Sequence, residues 1–489
     1  MTTLNDLTTQ PWRDSLFLGG DYVAAEGGTT VSIEKATGEQ LATVGLASPA
    51  DVEAAVSAAR RAQGPWAALP PAQRAAAVRR LHDVVESRFE EIVRWISQET
   101  GGVRFKAELE VRLAMTHLTD AAALATRPMA HQASSLAPGR VNLVEHVPVG
   151  VVGVITPWNL PFSLAFSPIA PALALGNTVV LKPAPHTPVS GGLLIADLVR
   201  EAGLPAGVFN VVPGDDATGA ALVGAPLDMV RFTGSTEVGR SIAADLGRRL
   251  VRVSLELGGN AAFVVLDDAD PELASMVGAW SSFHYAGQTC ITAGRHIVMR
   301  EVAEPYIEAL TRRAARMTLG NPLDDVDMGP MIDDRQVARA DAMVRTSVEM
   351  GATVLTGGTH DGLFYRPTVL ADVPVSAPAY AEEVFGPVAP VVPFSSPEEA
   401  AKLATDSEYG LSLSILTNDI GAALRLADQI PTGAVHINDQ TVNDEATIPF
   451  GGWGASGTGA RHGGPQANLE AFTETQWVTV RGELASYPF

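Results

Sequence analysis

Apolar positions recur every three or four residues over two early stretches, 50–63 and 73–96, and predict a helix in each. In the second, Val78, Leu81, Val85, Phe89, Ile92 and Ile96 share one face, and Gly101-Gly102 follow its end. Ser48, with Asp51 three residues on, is an N-cap signature for the first. The period then shortens. Val141, Leu143, Val144, Val147, Val149 and Val151-Val152 predict extended chain across 137–155, with Pro138-Gly139 as a turn. From about 150, β-rich runs alternate with helical ones. Val151–Ile155, Thr178–Leu181, Val208–Val212 and Met229–Phe232 read as strands; 162–175, 189–203, 216–223 and 236–246 read as helices. Such alternation predicts a parallel α/β sheet. A second alternating stretch, about 257–440, carries strand candidates at Ala261–Leu266, His296–Met299, Ala389–Pro393 and Leu413–Leu416. Within it, Ser396-Pro397-Glu398-Glu399 combines a capping box with a first-turn proline. The tail 474–481 alternates like a strand and needs a partner, which another subunit could supply.

A chain of 489 residues is too long for one core, so two or three domains are expected. The longest apolar stretch, Leu164 to Leu181, contains Pro168, Pro171, Gly176 and Asn177. It reads as buried core broken by turns, not as a membrane span. Met1 to Asp14 carries Asp6 and Asp14 and no apolar core, unlike a signal peptide. A net charge of −21 argues against a nucleic-acid partner, which needs a basic footprint. The single cysteine excludes an intrachain disulfide framework and fits a reducing, cytoplasmic compartment. The ten histidines are scattered, with no His-x-x-x-His pair beside a Glu, so no metal site is expected.

That cysteine closes the run Gly287-Gln288-Thr289-Cys290. A thiolate is an effective nucleophile, although a free Cys also serves as a small buried hydrophobe. Glu256, in Leu255-Glu256-Leu257-Gly258-Gly259-Asn260, is flanked by apolar residues. Such surroundings can raise a carboxyl pKa and fit it to accept a proton near neutrality. In Phe232-Thr233-Gly234-Ser235-Thr236-Glu237-Val238-Gly239 a strand leads into a helix start, whose N–H groups can hold a pyrophosphate. The spacing is not the usual dinucleotide fingerprint, and a plain turn reads equally well. Lys182 leaves a buried strand at its carboxyl end, where open α/β sheets bind ligands; a solvated Lys is the alternative. Asn159, between Pro157 and Pro161, is either a preorganised oxyanion donor or a turn residue. Glu383 can accept both hydroxyls of a ribose, with Phe385 against a ring, or the pair is a charged loop with one buried aromatic.

Taken in order, TPWNLP (156–161), LKP (181–183), FTGSTEVG (232–239), LELGGN (255–260), GQTC (287–290), EEVFGP (382–387) and PFGGWGASGTG (449–459) resemble the aldehyde dehydrogenase superfamily over nearly the whole chain. The resemblance implies an α/β fold in three parts. These are a Rossmann-like dinucleotide-binding domain (1–126 and 148–255), a catalytic domain (256–445) and a small β oligomerisation flap (127–147 with 470–489) serving a homodimer or homotetramer. It implies that Cys290 attacks an aldehyde and that Asn159 and the Cys290 N–H stabilise the oxyanion. Glu256 would then activate water against a thioester. No histidine partner for Cys290 is evident, so its activation is expected from local dipoles and the cofactor. NAD would contact Ile155, Thr156, Pro157, Trp158, Lys182, Gly214, Gly234, Ser235, Val238, Leu257, Gly258, Glu383 and Phe385. NAD-preferring relatives often carry Glu three residues after the Lys; here Pro185 stands there, followed by His186, so NADP is expected to be tolerated.

The run His436 to Glu445 and the tail of 449–464 look like the benzaldehyde and vanillin branch. Leu160, Leu164, Thr289, Ile291, Val442 and Phe450 would line the substrate tunnel, with no Lys or Arg to greet a second carboxylate. An aromatic aldehyde is therefore expected. The acidic residues from Asp439 to Glu445 read more simply as a surface loop. The rival readings are a broad or aliphatic aldehyde dehydrogenase, a CoA-acylating relative, a cofactor-free thiol hydrolase and an inactive structural relative. Glu256 favours water over CoA as acyl acceptor. The hydrolase leaves Lys182, the Gly234-Ser235 turn and Glu383 without a purpose, and intact Cys290, Glu256 and Asn159 count against the inactive relative.

Overall fold

Strands Val151–Ile155 and Thr178–Lys182 are buried at every position, as strands covered on both faces must be. They sit at the centre of a seven-stranded sheet in the order Arg252–Glu256, Met229–Thr233, Val151–Ile155, Thr178–Lys182, Phe209–Val211, Ser15–Leu18, Asp21–Ala24. The first five strands run parallel and the last two antiparallel. Register pairs Ile155 with Lys182 and with Phe232, and Thr233 with Glu256. Four of the singled-out motifs therefore end at one sheet edge, the carboxyl end where ligands bind in open α/β sheets. This computed structural model describes residues 10–488; Met1 to Thr9, part of the N-terminal reading, lie outside them.

A second seven-stranded sheet follows the order Thr353–Thr356, Thr368–Ala371, Val388–Phe394, Ala293–Met299, Ala261–Val265, Ser412–Leu416, Ala434–Ile437. Only its first pair is antiparallel. A three-stranded antiparallel sheet joins Thr473–Arg481, Arg140–Pro148 and Ala130–Ala133. The C-terminal strand thus finds its partner within its own chain, Thr473 against Pro148 through Arg481 against Arg140. Its other edge stays open, with Trp477 67% exposed. Among the described residues no helix is long and apolar enough to cross a membrane.

The expected helix at 73–96 is two helices, Pro71–Ser87 and Phe89–Thr100. Arg88 leaves helical geometry (φ −106°, ψ 20°) while its guanidinium grips Glu91 and Asp197, each at 2.8 Å. Apolar periodicity does not register this break, because Val85 and Ile92 on either side pack into the same core. Gly101 ends the second helix in the left-handed region at φ 77°. Ser48 and Asp51 make the full reciprocal cap. At Ser396 the box is shifted: Ser396 accepts from the Glu399 N–H, but the Glu399 carboxylate accepts from Ser395. Pro168 and Pro171 lie inside helix Pro161–Ala174 rather than ending it, and the turn comes at Gly176-Asn177. That helix begins where buried Glu110 accepts the N–H groups of Phe162 and Ser163.

Candidate active site

A cleft of about 1010 Å³ runs along the carboxyl edge of the first sheet and takes its far wall from Cys290, Glu383, Phe385 and neighbours in the later half of the chain. Ile155, Thr156, Pro157, Trp158, Lys182, Gly234, Ser235, Val238, Leu257, Gly258, Glu383 and Phe385 all line it, with Asn159, Leu164 and Cys290. Gly214 does not. It packs against Thr218, and its successors Asp215 and Asp216 reach the cleft instead. Arg335, Gln336 and Arg339 also line the wall. They come from helix Asp334–Glu349, whose start carries no motif beyond an Asp333 cap, and sequence reasoning passed over them.

The chain enters the nucleophile loop through three successive left-handed residues, Tyr285, Ala286 and Gly287. Such geometry is costly for residues with a Cβ and persists only where surroundings enforce it. Here the Tyr285 hydroxyl donates to the Thr100 carbonyl at 3.1 Å, and the buried Lys106 ammonium sits 4.1 Å from its ring centroid. A Cβ on Gly287 would collide with the Gly386 carbonyl, so the GQTC and EEVFGP loops press backbone to backbone. Gln288 accepts from the Ile332 N–H at 2.9 Å, and the Asn159 amide donates to the Gln288 carbonyl at 3.0 Å. Asn159, 3% exposed, is thereby fixed to Gln288, two residues before Cys290. Gly259 lies against the Cys290 carbonyl where a Cβ would not fit.

Burial pushes the Cys290 thiol well above its ordinary value, and Glu383, Glu256 and Asp444 push it the same way. The expectation that local dipoles and the cofactor activate it meets three carboxylates acting in the opposite sense.

Glu256 ends its strand 4% exposed, and neither carboxylate oxygen has a hydrogen-bond partner. The apolar flanks read from the sequence are only part of its surroundings. Arg231 and His462 each approach its Oε1 to 3.6 Å. Arg231 donates to Ser254 Oγ at 2.5 Å and to His462 Nδ1 at 2.8 Å. Asp444 is turned inward, its carboxyl raised by burial, opposed by His462 and reinforced by Glu256. The surface-loop reading of 439–445 therefore holds for the exposed Asp439 and Glu445 but not for Asp444. Arg231, His462 and Asp444 were missed. The available signal was Arg231 itself, a lone charge inside the apolar strand Met229–Thr233.

At the cleft's other end, helix Thr236–Arg249 begins without a side-chain cap at Ser235, so its first N–H groups remain for a ligand. Glu237 is exposed but lines the cleft, and Val238 is 48% exposed. Burial pulls the Lys182 ammonium down to about 8, with Asp216 and Asp215 opposing. Burial pushes the Glu383 carboxyl up to about 7, opposed by the Gly259 N–H, which donates to it at 2.9 Å, and by Arg339. Phe385 stands in the left-handed region at φ 54°, edge-on to Trp158 at 5.4 Å. His186 pairs with Asp333 at 2.9 Å beside Pro185, a lining residue. An uncapped helix start, a buried Lys and a half-buried Glu along one cleft fit the phosphates and hydroxyls of a dinucleotide.

The residues expected around the substrate are less uniform. Leu164 lines the cleft, and Leu160 and Val442 are half-buried. Thr289 and Ile291 are buried, the former sharing its hydroxyl with Thr292 at 2.8 Å. Phe450 packs edge-on against His462 at 5.5 Å, beside the Arg231–Glu256 pair. An aromatic group not anticipated from the sequence stands where the chain enters the nucleophile loop. Trp280 stacks on His284 at 4.5 Å, and Phe105 meets Trp280 edge-on at 5.5 Å.

A thiol in a dinucleotide-sized cleft and a buried carboxylate at the end of a parallel strand are the parts of an α/β oxidoreductase with a covalent step. The chain belongs to the aldehyde dehydrogenase family, whose sequence model matches residues 22–478. It is 50% identical over 485 residues to vanillin dehydrogenase of an Amycolatopsis species, covering 99% of each chain. It is 45% identical over 489 residues to an NAD(+) benzaldehyde dehydrogenase of Pseudomonas putida, covering 99% of this chain and all of that one. The fold superimposes on betaine aldehyde dehydrogenase of Staphylococcus aureus, solved with NAD+, at a TM-score of 0.94 and 31% identity, covering 98% of this chain and 96% of that one.

Proposed function

We propose that the protein oxidises an aromatic aldehyde of the benzaldehyde or vanillin type to its carboxylic acid, with NAD as electron acceptor. The observation that carries this reading is the placement of Cys290, with Asn159 locked to its loop, in the same cleft as the uncapped helix start, Lys182 and Glu383. Likeness to vanillin and benzaldehyde dehydrogenases supports the aromatic class. So do the half-buried Leu160 and Val442, and the aromatic group Phe105, Trp280 and His284 beside the nucleophile loop.

The Cys290 sulfur attacks the carbonyl carbon, and its proton passes to solvent water. The developing oxyanion is met by the Asn159 amide and the Cys290 N–H, neutral donors aimed in advance. Bound NAD supplies the acceptor for the hydride of the thiohemiacetal. The acyl group is then a thioester on Cys290. Glu256 takes a proton from water, which adds to the thioester carbon; the acid leaves and the thiol is restored. The first N–H groups of helix Thr236–Arg249 would hold the pyrophosphate of the dinucleotide and Lys182 its adenosine ribose, with Glu383 and Phe385 toward the nicotinamide. Pro185 does not supply the repelling carboxylate that NAD-preferring relatives often carry at that position, so NADP is also accepted. The open edge of Thr473–Arg481 suits pairing between copies in a homodimer or homotetramer, and the single cysteine suits a cytoplasmic setting.

The test is initial-rate NADH formation with benzaldehyde, vanillin, hexanal and succinic semialdehyde, each repeated with NADP. An advantage in kcat/KM of about a hundredfold for the aromatic aldehydes, on the order of 3 kcal/mol, is expected. A flat profile or a preference for hexanal would discard the substrate class.

A further inference from the structure

Two charges lie deep in the protein and take no part in the reaction scheme. Lys106 and Glu110, one turn apart on helix Arg104–Leu124, form an ion pair at 2.5 Å with both side chains wholly buried. Neither borders the cleft. Desolvation consumes most of the attraction in such a pair, so it adds little stability that apolar side chains would not supply. Its contacts lead instead to the two loops of the candidate site. Glu110 Oε2 accepts the N–H groups of Phe162 at 3.0 Å and Ser163 at 3.3 Å. These open helix Pro161–Ala174, whose N-cap residue, Leu160, has no side-chain acceptor to offer them. A carboxylate from another helix thus caps the segment that Asn159 leads into, and its charge suits the helix dipole. Lys106 Nζ lies 4.1 Å from the Tyr285 ring centroid and donates to Thr100 Oγ1 at 3.3 Å. Tyr285 opens the left-handed run toward Cys290, and its carbonyl accepts from the Gln288 backbone N–H at 3.1 Å and side-chain amide at 3.3 Å. The Gln288 carbonyl accepts from Asn159 at 3.0 Å. The contacts therefore close a ring, from Glu110 through the helix start, Asn159, Gln288, Tyr285 and Lys106 back to Glu110.

We propose that Lys106 and Glu110 are positioning residues: their ion pair is a clamp in which Glu110 holds the Asn159 loop and Lys106 holds the Cys290 loop, so that the amide donor stays aimed at the oxyanion formed on the cysteine. This rests on Cys290 acting as the nucleophile and Asn159 as the oxyanion donor. A preorganised donor helps only where the oxyanion will stand, so the spacing of the two loops matters as much as the groups they carry. Neither charge touches the reacting atoms. Each holds one loop, and the ion pair fixes the distance between the two grips. The strained run Tyr285-Ala286-Gly287 gives the clamp its second purpose, since left-handed backbone persists only where its surroundings enforce it.

The experiment is a mutant cycle on the single-turnover rate of NADH formation from benzaldehyde and NAD. Lys106→Met together with Glu110→Gln removes both charges, strands neither, and keeps an acceptor for the Phe162 and Ser163 N–H groups. Removing one partner alone would leave a lone buried charge and destabilise the fold. The paired variant should melt close to the parent and bind NAD as tightly by fluorescence titration. It should form NADH about tenfold more slowly, the scale of a sub-ångström misplacement. In an Asn159→Ala background the same pair of changes should cost less than about twofold, because the donor that the clamp aims is gone. A merely structural role would make the two losses additive. Additive losses, or a parental rate in the paired variant, would overturn the proposal. If the paired variant does not fold, Tyr285→Phe and Tyr285→Leu decide it. Phe keeps a ring beside the Lys106 ammonium and should retain most of the parental rate, whereas Leu should lose about tenfold, and only while Asn159 is present. Equal rates in those two variants would overturn it. Asn159→Ala acting at the parental rate would refute the oxyanion role itself, a separate failure.

Discussion

Replacing Glu383 with Gln removes a charge while keeping an acceptor for the Gly259 N–H, which the carboxylate takes at 2.9 Å. In the folded protein burial holds this carboxyl at about 7, against an ordinary value of 4.5. The folded form therefore binds its proton more tightly than the unfolded form does. Stability conferred by the protonated group is fully present below pH 4.5 and is lost as pH rises toward 7. Above that the ionised group costs up to about 3 kcal/mol, reduced to roughly 2 kcal/mol by the solvent that reaches a half-buried side chain. Glu383→Gln should thus resist heat and urea better than the parent at pH 8.5 and equally well at pH 4.5. The gain carries a functional loss. A neutral amide accepts hydroxyl hydrogen bonds more weakly than a carboxylate, so the KM for NAD should rise about tenfold. The parent's KM for NAD should also rise as pH falls below 7, and the variant's should not. Because Glu383 is among the carboxylates that suppress Cys290, the variant's thiol should alkylate faster with iodoacetamide at pH 8.5. Equal stability at pH 8.5 together with an unchanged KM–pH profile would refute this reasoning.

Gly259→Ala places a methyl against the Cys290 carbonyl; it should cut kcat/KM by a hundredfold or more, with NAD affinity by fluorescence titration little changed. Pro185→Glu should raise the KM for NADP at least tenfold more than that for NAD, because a carboxylate there repels a 2′-phosphate; equal effects would mean that the position does not read the ribose. Cys290→Ala should abolish oxidation and leave NAD binding within about twofold, and full activity in that variant would end the covalent scheme.

Much of the first sheet was legible. Strands such as Val151–Ile155 and Thr178–Lys182 are covered on both faces and read as uninterrupted apolar runs between glycine and proline turns. The break at Arg88 was not, because it depends on ion pairs to Asp197, more than a hundred residues away. The tail was legible as a strand from its alternation, but its partner came only through the resemblance, which groups it with 127–147, since pairing is a tertiary fact. Cys290 and Asn159 stood out because each lies on a turn punctuated by glycine or proline, and Glu256 because two glycines soon follow the strand it ends. Arg231, Asp444 and His462 carry no such punctuation. Three separate segments bring them together around Glu256, and only sheet register and loop packing reveal the cluster. Gln336 and Arg339 escaped for a related reason, since a helix wall contributes single side chains without a recognisable run.

The central claim is a thioester on Cys290 whose hydrolysis needs Glu256. Its most direct test is mass spectrometry of Glu256→Gln quenched after mixing with benzaldehyde and NAD. The expected result is a benzoyl group on the peptide carrying Cys290, an initial burst of NADH and little further turnover. Unmodified Cys290 with steady turnover at the parent's rate would contradict it.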